Sequence, residues 1–292
     1  MNGKILSLFL SLFAPALLAG NLDEALRLLN EGKYAQALGF IQEHAKNGNA
    51  EAEYYLGVAY AEGVGVNKNP QEALRLIKSA AIKEYPQAQF AMGNLYRIGA
   101  FGQVHYLRAI EWYELAANKG LAEAQHALGH AYTNGVGVPV NYEKALQWYR
   151  KAAEQGDAIS QNNIGWAYQN GFGVDKDYHE AVKWFRMAAE KNQVNALNNL
   201  ALAYDNGQGV EANPAEAVRL WQIAVDLGYS SAQNNLGLAY EFGKGVPKNI
   251  VKALELFKLS AEQGDPNGTV NYNRLRQSLA PTKTPDPLPS PP

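Results

Sequence analysis

Small and apolar residues recur along this chain at helical spacing, in pairs of segments that repeat. In the segment that begins at Ala158, Ser160, Ile164 and Tyr168 follow one another at four-residue intervals, the spacing of one buried helix face. Further on, Ala181 and Phe185 keep the same interval on a second face. The pattern predicts two helices, one from Ser160 to about Asn170 and one from about Tyr178.

Glycines separate the two predicted helices. Gly171 and Gly173 follow the first one, and glycine ends helices readily because it tolerates positive φ. A single helix pair cannot bury both of its apolar faces, so pairs of this kind have to stack on one another. The sequence therefore predicts an all-α array of helix pairs.

The whole pattern returns every 36 residues without an insertion. Tyrosine marks the period at positions 60, 96, 132, 168, 204 and 240. This spacing predicts six units at residues 50–85, 86–121, 122–157, 158–193, 194–229 and 230–265. A helix pair at 21–49 is expected to cap one end of the array, and a helix at 266–280 is expected to cap the other.

The spacing also carries a family resemblance. The stretch AEAQHALGHAYTNGVGVPVNYEKALQWYRKAAEQGD, residues 122–157, resembles the Sel1-like repeat, a relative of the tetratricopeptide repeat. The likeness extends over about residues 22–270. It implies an α-solenoid, a right-handed superhelix of stacked helix pairs, and a protein that binds other proteins.

Two units depart from the shared pattern. Ala201 replaces the first glycine of one unit. In the unit that begins at Pro86, the loop RIGAFGQVHY has its second glycine displaced to Gly102, so this loop is expected to differ in shape. The difference is explained either by drift in a surface loop or by a loop specialised for a partner.

Positions that are identical in every unit are expected to pack, so binding is expected where the units differ. In tetratricopeptide-type repeats, which these resemble, the first helix of each pair lines a concave groove that holds ligands. The residues that this resemblance places in the groove are Tyr54, Phe90, Asn94, Arg97, His126, His130, Asn162, Trp166, Asn198 and Asn234.

Three features of this predicted groove suggest chemistry. Asn162, Asn198 and Asn234 form a ladder of amides that either clamps an extended peptide or is a surface feature copied by duplication. Trp166 is the best candidate anchor, because exposed aromatic residues dominate binding hot spots. The histidines at 126 and 130 have a spacing that suits zinc, but no third ligand accompanies them, so no metal site is predicted.

Composition removes several classes of function. A formal net charge of −2 and the absence of basic runs argue against nucleic-acid binding. The chain has no cysteine, which excludes thiol chemistry and the cysteine-rich branch of Sel1-like proteins. No Ser-x-x-Lys, nucleophile elbow or phosphate-binding loop occurs, so we expect neither an enzyme nor a cofactor.

The two ends of the sequence suggest export and an extended tail. Residues 1–20 combine Lys4 with an apolar run that is short for a membrane span, which predicts a signal peptide, although an uncleaved anchor is the alternative. The lack of cysteine favours a bacterial periplasm. The proline-rich residues 281–292 are expected to form an extended tail, either a plain terminus or a ligand for another protein.

Two functions fit these expectations. The chain is either an adaptor of the bacterial envelope that holds a partner protein in its groove, or a periplasmic immunity protein that neutralises a toxic effector such as a phospholipase. A weak hydrolase of the β-lactamase-like type is a distant third.

Overall fold

The computed structural model describes residues 23–279, and the predicted signal peptide and proline-rich tail lie outside that range. Within it the chain forms helices and turns, with no strand. It divides into two compact units, and the boundary in the chain falls between Asp157 and Ala158.

Unit 1 contains four helix pairs, and each helix packs against the next. In chain order the helices are α1 (Asp23–Asn30), α2 (Tyr34–Lys46), α3 (Ala50–Glu62), α4 (Pro70–Ile82), α5 (Pro86–Arg97), α6 (Tyr106–Asn118), α7 (Ala122–Asn134) and α8 (Tyr142–Glu154).

Unit 2 contains three helix pairs and one closing helix. In chain order these are α9 (Ala158–Asn170), α10 (Tyr178–Ala189), α11 (Val194–Asn206), α12 (Pro214–Asp226), α13 (Ser230–Phe242), α14 (Ile250–Glu262) and α15 (Pro266–Ser278). The prediction of an all-α array of helix pairs is confirmed, and α9 and α10 lie where the pattern placed them.

Side-chain caps fix where the second helices begin. Asn69, Asn141, Asn213 and Asn249 each accept a hydrogen bond from the backbone N–H three residues further on. Such a cap satisfies one of the free N–H groups at a helix start and stabilises the helix by about 1 kcal/mol. The repeated asparagine therefore sets the loop length between the two helices of a pair.

A glycine in the first helix allows close packing against an aromatic ring of the second. A Cβ atom on Gly129 would lie 2.5 Å from the ring of Tyr149, and one on Gly165 would lie 2.6 Å from the ring of Phe185. The ring thus lies directly on the helix backbone. The departure at Ala201 coincides with a second one, because the residue that occupies the ring position in that repeat is Trp221.

The glycines between the helices have two separate roles. Gly207 ends α11 in the left-handed conformation, with φ of 67°. Gly209 has no room for a side chain, because a Cβ atom there would overlap the backbone carbonyl of Tyr178 in the preceding pair. The Gly-x-Gly turn therefore both ends a helix and lets the loop rest on the neighbouring repeat.

The loop between α5 and α6 differs from these turns, as the sequence predicted. Gly102 has φ of 98° but open space around its Cα. The preceding position, which is glycine in the other repeats, is Phe101, and its ring lies 4.7 Å from that of Tyr96. Gly102 therefore lacks the close approach to a neighbouring backbone that Gly137, Gly209 and Gly245 make.

Candidate functional site

The candidate site consists of two surfaces, one in each unit, made by the first helices of the pairs. In unit 1 we call the positions on α3, α5 and α7 the first-helix face of unit 1. They are Tyr54, Phe90, Asn94, Arg97, His126 and His130. Arg97 and His130 are exposed, and the other four are half-buried.

Aromatic contacts cover much of the start of this face. The ring centroid of Tyr54 lies 5.5 Å from that of Tyr85, and burial raises the pKa of Tyr54, with the charge of Glu123 adding to the effect. Phe90 lies 5.4 Å from Tyr113 between ring centroids. These two predicted site residues therefore take part in the packing within their own repeats, and both are half-buried.

The polar residues of the first-helix face of unit 1 are partly engaged. The hydroxyl of Tyr113 donates a hydrogen bond of 2.8 Å to Oδ1 of Asn94. Nδ1 of His126 lies 3.4 Å from Oδ2 of Asp157. These contacts restrain the side chains of Asn94 and His126. Arg97 and His130 are the members of this face most open to solvent.

His130 carries little positive charge at neutral pH. Although the residue is exposed overall, partial desolvation of its imidazole ring lowers the pKa of His130, and the nearby His126 and Arg97 lower it further. Among residues 23–279 no cluster of three His, Asp or Glu side chains is placed to hold a metal ion. On this geometry the pair offers hydrogen bonds and ring surface to a ligand.

In unit 2 the first-helix face consists of the corresponding positions on α9, α11 and α13. The residues predicted here are Asn162, Trp166, Asn198 and Asn234, and the neighbouring positions Leu202, Asp205, Leu238 and Phe242 complete it.

The asparagine ladder is buried, which corrects the exposed position expected from the sequence. Asn162, Asn198 and Asn234 are only 5–7% exposed. Each of their Oδ1 atoms accepts a hydrogen bond from the next first helix, from Asn199 at 3.0 Å, Asn235 at 2.8 Å and Asn271 at 2.8 Å respectively. The amides therefore join neighbouring repeats, and binding of a peptide by them stays a prediction.

Trp166 lies where the sequence predicted an exposed anchor. Its side chain is 41% exposed, and its ring centroid is 4.7 Å from that of Phe172 in the following loop. The two rings are tilted by 41°, and this contact restrains the orientation of the indole while the side chain stays partly exposed. A rigid aromatic surface of this kind suits a binding contact.

Sequence reasoning missed a pocket further along the same face. A cavity of about 250 Å³ opens among α11, α12 and α13. Its walls are mainly apolar and include Leu202, Leu238 and Phe242, and Trp221 and Asp205 also line it. One signal pointed to it, Trp221 in place of a smaller ring.

Its consecutive, packed helix pairs define the chain as an α-solenoid repeat protein. The Sel1 repeat family model matches residues 50–85, 86–121, 122–157, 158–193, 194–229 and 230–265. The chain belongs to the Sel1 repeat family, as its sequence predicted. In the described range, no helix is both long and apolar enough to cross a membrane.

Two solved structures share this fold at recognisable sequence identity. One is c5321, a protective antigen of uropathogenic Escherichia coli, with 32% identity and a TM-score of 0.74 over 89% of this chain and 60% of that chain. This chain thus matches well under two thirds of that protein's length. The other is a Sel1 repeat protein from Oxalobacter formigenes, with 31% identity and a TM-score of 0.74 over 83% of this chain and 97% of that one.

A more distant structural likeness is to an immunity protein, which is one of the two functions expected from the sequence. The immunity protein Pa5087 of Pseudomonas aeruginosa is 21% identical, with a TM-score of 0.42 over 68% of this chain and 74% of that chain. At that distance it carries no argument about function. A comparison with curated proteins gave no match.

Proposed function

We propose that this protein is a non-enzymatic scaffold whose first-helix faces bind a segment of a partner protein. Sel1 repeats form a fold that serves protein interaction, and several residues of these faces, such as Trp166 and Phe242, differ from repeat to repeat, whereas most packing positions do not. Variation at surface positions on a fixed frame is what selective recognition of one partner requires.

One observation carries the proposal, the exposure of two large aromatic residues that the fold does not need. Trp166 is 41% exposed and Phe242 is 69% exposed. At the position of Trp166 the next two repeats have Leu202 and Leu238. At the position of Phe242 three other repeats have asparagine, whose amide bonds to its own helix, as Asn206 does to the carbonyl of Leu202 at 2.9 Å.

The test uses substitutions that other repeats already contain. The double variant Trp166→Leu, Phe242→Asn replaces each aromatic residue with the side chain of a sibling position, so the fold is expected to tolerate it. A matched control changes Met187 and Val251 to alanine on second helices, where these residues are 43% and 69% exposed. The control removes comparable exposed surface away from the first-helix face.

Affinity capture with these three forms, followed by mass spectrometry, identifies the partner, and titration calorimetry then measures its binding. We expect the control to bind as the wild type does and the double variant to bind at least about 30-fold more weakly, which corresponds to ~2 kcal/mol for lost hot-spot contacts. Equal affinity of all three forms would place binding elsewhere and refute the proposal.

We also propose that the protein acts in the bacterial envelope after export. The support is the composition of residues 1–20, with a basic start, an apolar run and the small residues Ala19 and Gly20. Fractionation of the source cells and N-terminal sequencing test this directly. A mature form that begins near residue 20 in the periplasmic fraction is expected, and full-length protein in the cytoplasm would contradict it.

A further inference from the structure

The cavity in unit 2 lies at a place where the next helix along the array makes an ion pair. Between α13 and α15, the guanidinium of Arg274 donates two hydrogen bonds of 2.6 Å to the carboxylate of Glu241. The positions 36 residues earlier, on α13 and α11, are Leu238 and Asp205. Both of these residues line the cavity of about 250 Å³, so a shorter apolar side chain occupies the position that arginine has in α15.

The residues around this cavity favour an apolar and uncharged occupant. Its two charged lining residues balance each other, because Nζ of Lys244 donates a hydrogen bond of 2.6 Å to Oδ2 of Asp205. Leu202, Leu238 and Phe242 supply apolar surface, and Phe242 is 69% exposed. Burial of an unpaired charge against such a surface is costly, whereas burial of apolar groups is favourable.

The chain leaves the described structure beside this part of the first-helix face of unit 2. Helix α15 packs on α13, and Asn271 donates to Asn234 over the same 37 positions as Asn235 does to Asn198 in the preceding repeat. Leu279, the last described residue, follows Gly243 at the end of α13 by one period of 36. Residues 280–292 therefore begin next to the end of α13.

The proline-rich segment 281–292 is long enough to reach the cavity. In the extended conformation that proline favours, each residue advances by ~3.1 Å, so the stretch from Leu279 to Leu288 spans up to ~28 Å. Packed helices lie about 8–10 Å apart, so a cavity between α13 and α11 is about 15 Å away from α15. The segment can thus cross the end of α13 with residues to spare.

The composition of the segment also suits the cavity. In PTKTPDPLPSPP, Leu288 lies between two prolines and is the one aliphatic residue besides the prolines. The charges cancel, because Lys283 is matched by Asp286. Proline-rich segments bind to aromatic surfaces with little loss of conformational entropy, and Phe242 offers such a surface.

We propose that residues 281–292 fold back onto the first-helix face of unit 2, with Leu288 in the cavity and the neighbouring prolines against Phe242. The inference rests on the proposed scaffold function, because the segment then covers one of the two exposed aromatic residues assigned to partner binding. A tethered segment acts at an effective concentration in the millimolar range, so even a weak contact is populated. The segment is therefore a built-in competitor of the partner.

The first test follows the methyl NMR signals of Leu202 and Leu238 in the intact protein and in a form truncated after Ala280. Each signal is assigned by its loss in a single variant, Leu202→Met or Leu238→Met. A synthetic peptide of residues 280–292 is then added to the truncated form. A matched control peptide contains the change Leu288→Ala.

We expect the peptide to shift both signals saturably, with a Kd on the order of 1 mM. The control peptide should bind at least about tenfold more weakly, because it lacks the leucine side chain that is buried. In the intact protein, both signals should already be displaced toward their peptide-bound positions, equally at low and at high protein concentration.

Two results of this comparison overturn the proposal. One is an identical position of both signals in the intact and truncated forms. The other is a displacement that grows with protein concentration, because the segment would then enter the cavity of a second copy of the chain.

The variant Leu238→Arg tests whether the peptide uses this cavity. Arginine occupies the same position in α15, as Arg274, so the variant is expected to fold. The longer side chain should fill the cavity, and the peptide should then leave the Leu202 signal of the truncated variant unshifted. Binding of the peptide with unchanged affinity would place the segment elsewhere and overturn the proposal.

Titration calorimetry with the captured partner measures the competition. Truncation after Ala280 should tighten partner binding by about two- to fivefold, because the segment no longer occupies part of the face. Equal affinity of the intact and truncated forms would refute the role as a competitor. The NMR tests need no partner, so their failure leaves the scaffold function standing. That function fails separately, if Trp166→Leu, Phe242→Asn binds the partner as the wild type does.

Discussion

Replacing Asn198 with alanine removes the central link of the asparagine ladder in unit 2. The side chain is 7% exposed, and its Oδ1 accepts the 2.8 Å hydrogen bond from Asn235. Loss of that bond costs about 1 kcal/mol, and leaving a partly buried amide donor unpaired raises the cost to about 1–3 kcal/mol. Alanine returns up to ~0.7 kcal/mol through its higher helix propensity. We therefore expect a net loss of about 1–2 kcal/mol in the free energy of unfolding.

Thermal unfolding followed by circular dichroism measures this loss. For a chain of this size, 1 kcal/mol corresponds to a shift of about 2–4 °C, so Asn198→Ala should lower the midpoint by about 2–8 °C. The control is Asn195→Ala on the same helix, where the side chain is exposed and only the propensity term applies. The control should be neutral or slightly stabilising.

The result also separates two interpretations of the ladder. If the amides serve to join repeats, Asn198→Ala loses stability. An unchanged midpoint together with weakened partner binding would refute this reasoning and would show that the amide is available to a bound peptide, as the sequence first suggested.

Three further predictions follow from the packing. Gly165→Ala should destabilise by about 1–3 kcal/mol in urea unfolding, because the added methyl group would lie 2.6 Å from the ring of Phe185; an unaltered midpoint would show that the ring moves freely. In-register deletion of residues 194–229 should leave a shorter folded array, because each repeat contacts mainly its neighbouring repeats. The helical circular dichroism signal per residue should stay unchanged, and its loss would contradict the repeat architecture. Burial raises the pKa of Tyr55 to about 12, so the free energy of unfolding keeps its full value below pH 10 and falls as the pH rises from 10 through 12. The variant Tyr55→Phe should flatten that fall in alkaline unfolding. An equal fall in both proteins would contradict this prediction.

The sequence predicted the helices well because each is specified locally. Glycines and capping residues such as Asn213 recur with the period, and each acts on backbone atoms within a few positions. A local signal repeated six times leaves little freedom in where helices begin and end. The packing of Phe185 against the first helix follows from the same repetition.

The position of the asparagine ladder was not predicted, because it depends on how one first helix lies against the next. The pairs join residues 37 apart, such as Asn198 and Asn235, so the period alone does not reveal them. A usable signal was nevertheless present. The dipeptide Asn-Asn occurs identically in three repeats, and positions that repeat identically are those expected to pack.

The pocket at Trp221 was missed for a different reason. Ala201 and Trp221 look like conservative changes when each is considered singly, and the structure shows that both belong to one buried core cluster. The cavity that Trp221 lines depends on how α11, α12 and α13 pack in three dimensions. Two departures from the repeat pattern that fall within one repeat are therefore a better signal of a special site than the total number of departures in the chain.

The central claim is that partner binding uses the first-helix faces. Hydrogen exchange of the protein with and without its captured partner, read by mass spectrometry, tests this most directly. The account predicts slowed exchange in peptides from the first helices, above all those containing Trp166 and Phe242, with little change in the second helices α10 and α14. Protection confined to the second helices, or to the loop around Gly102, would contradict it.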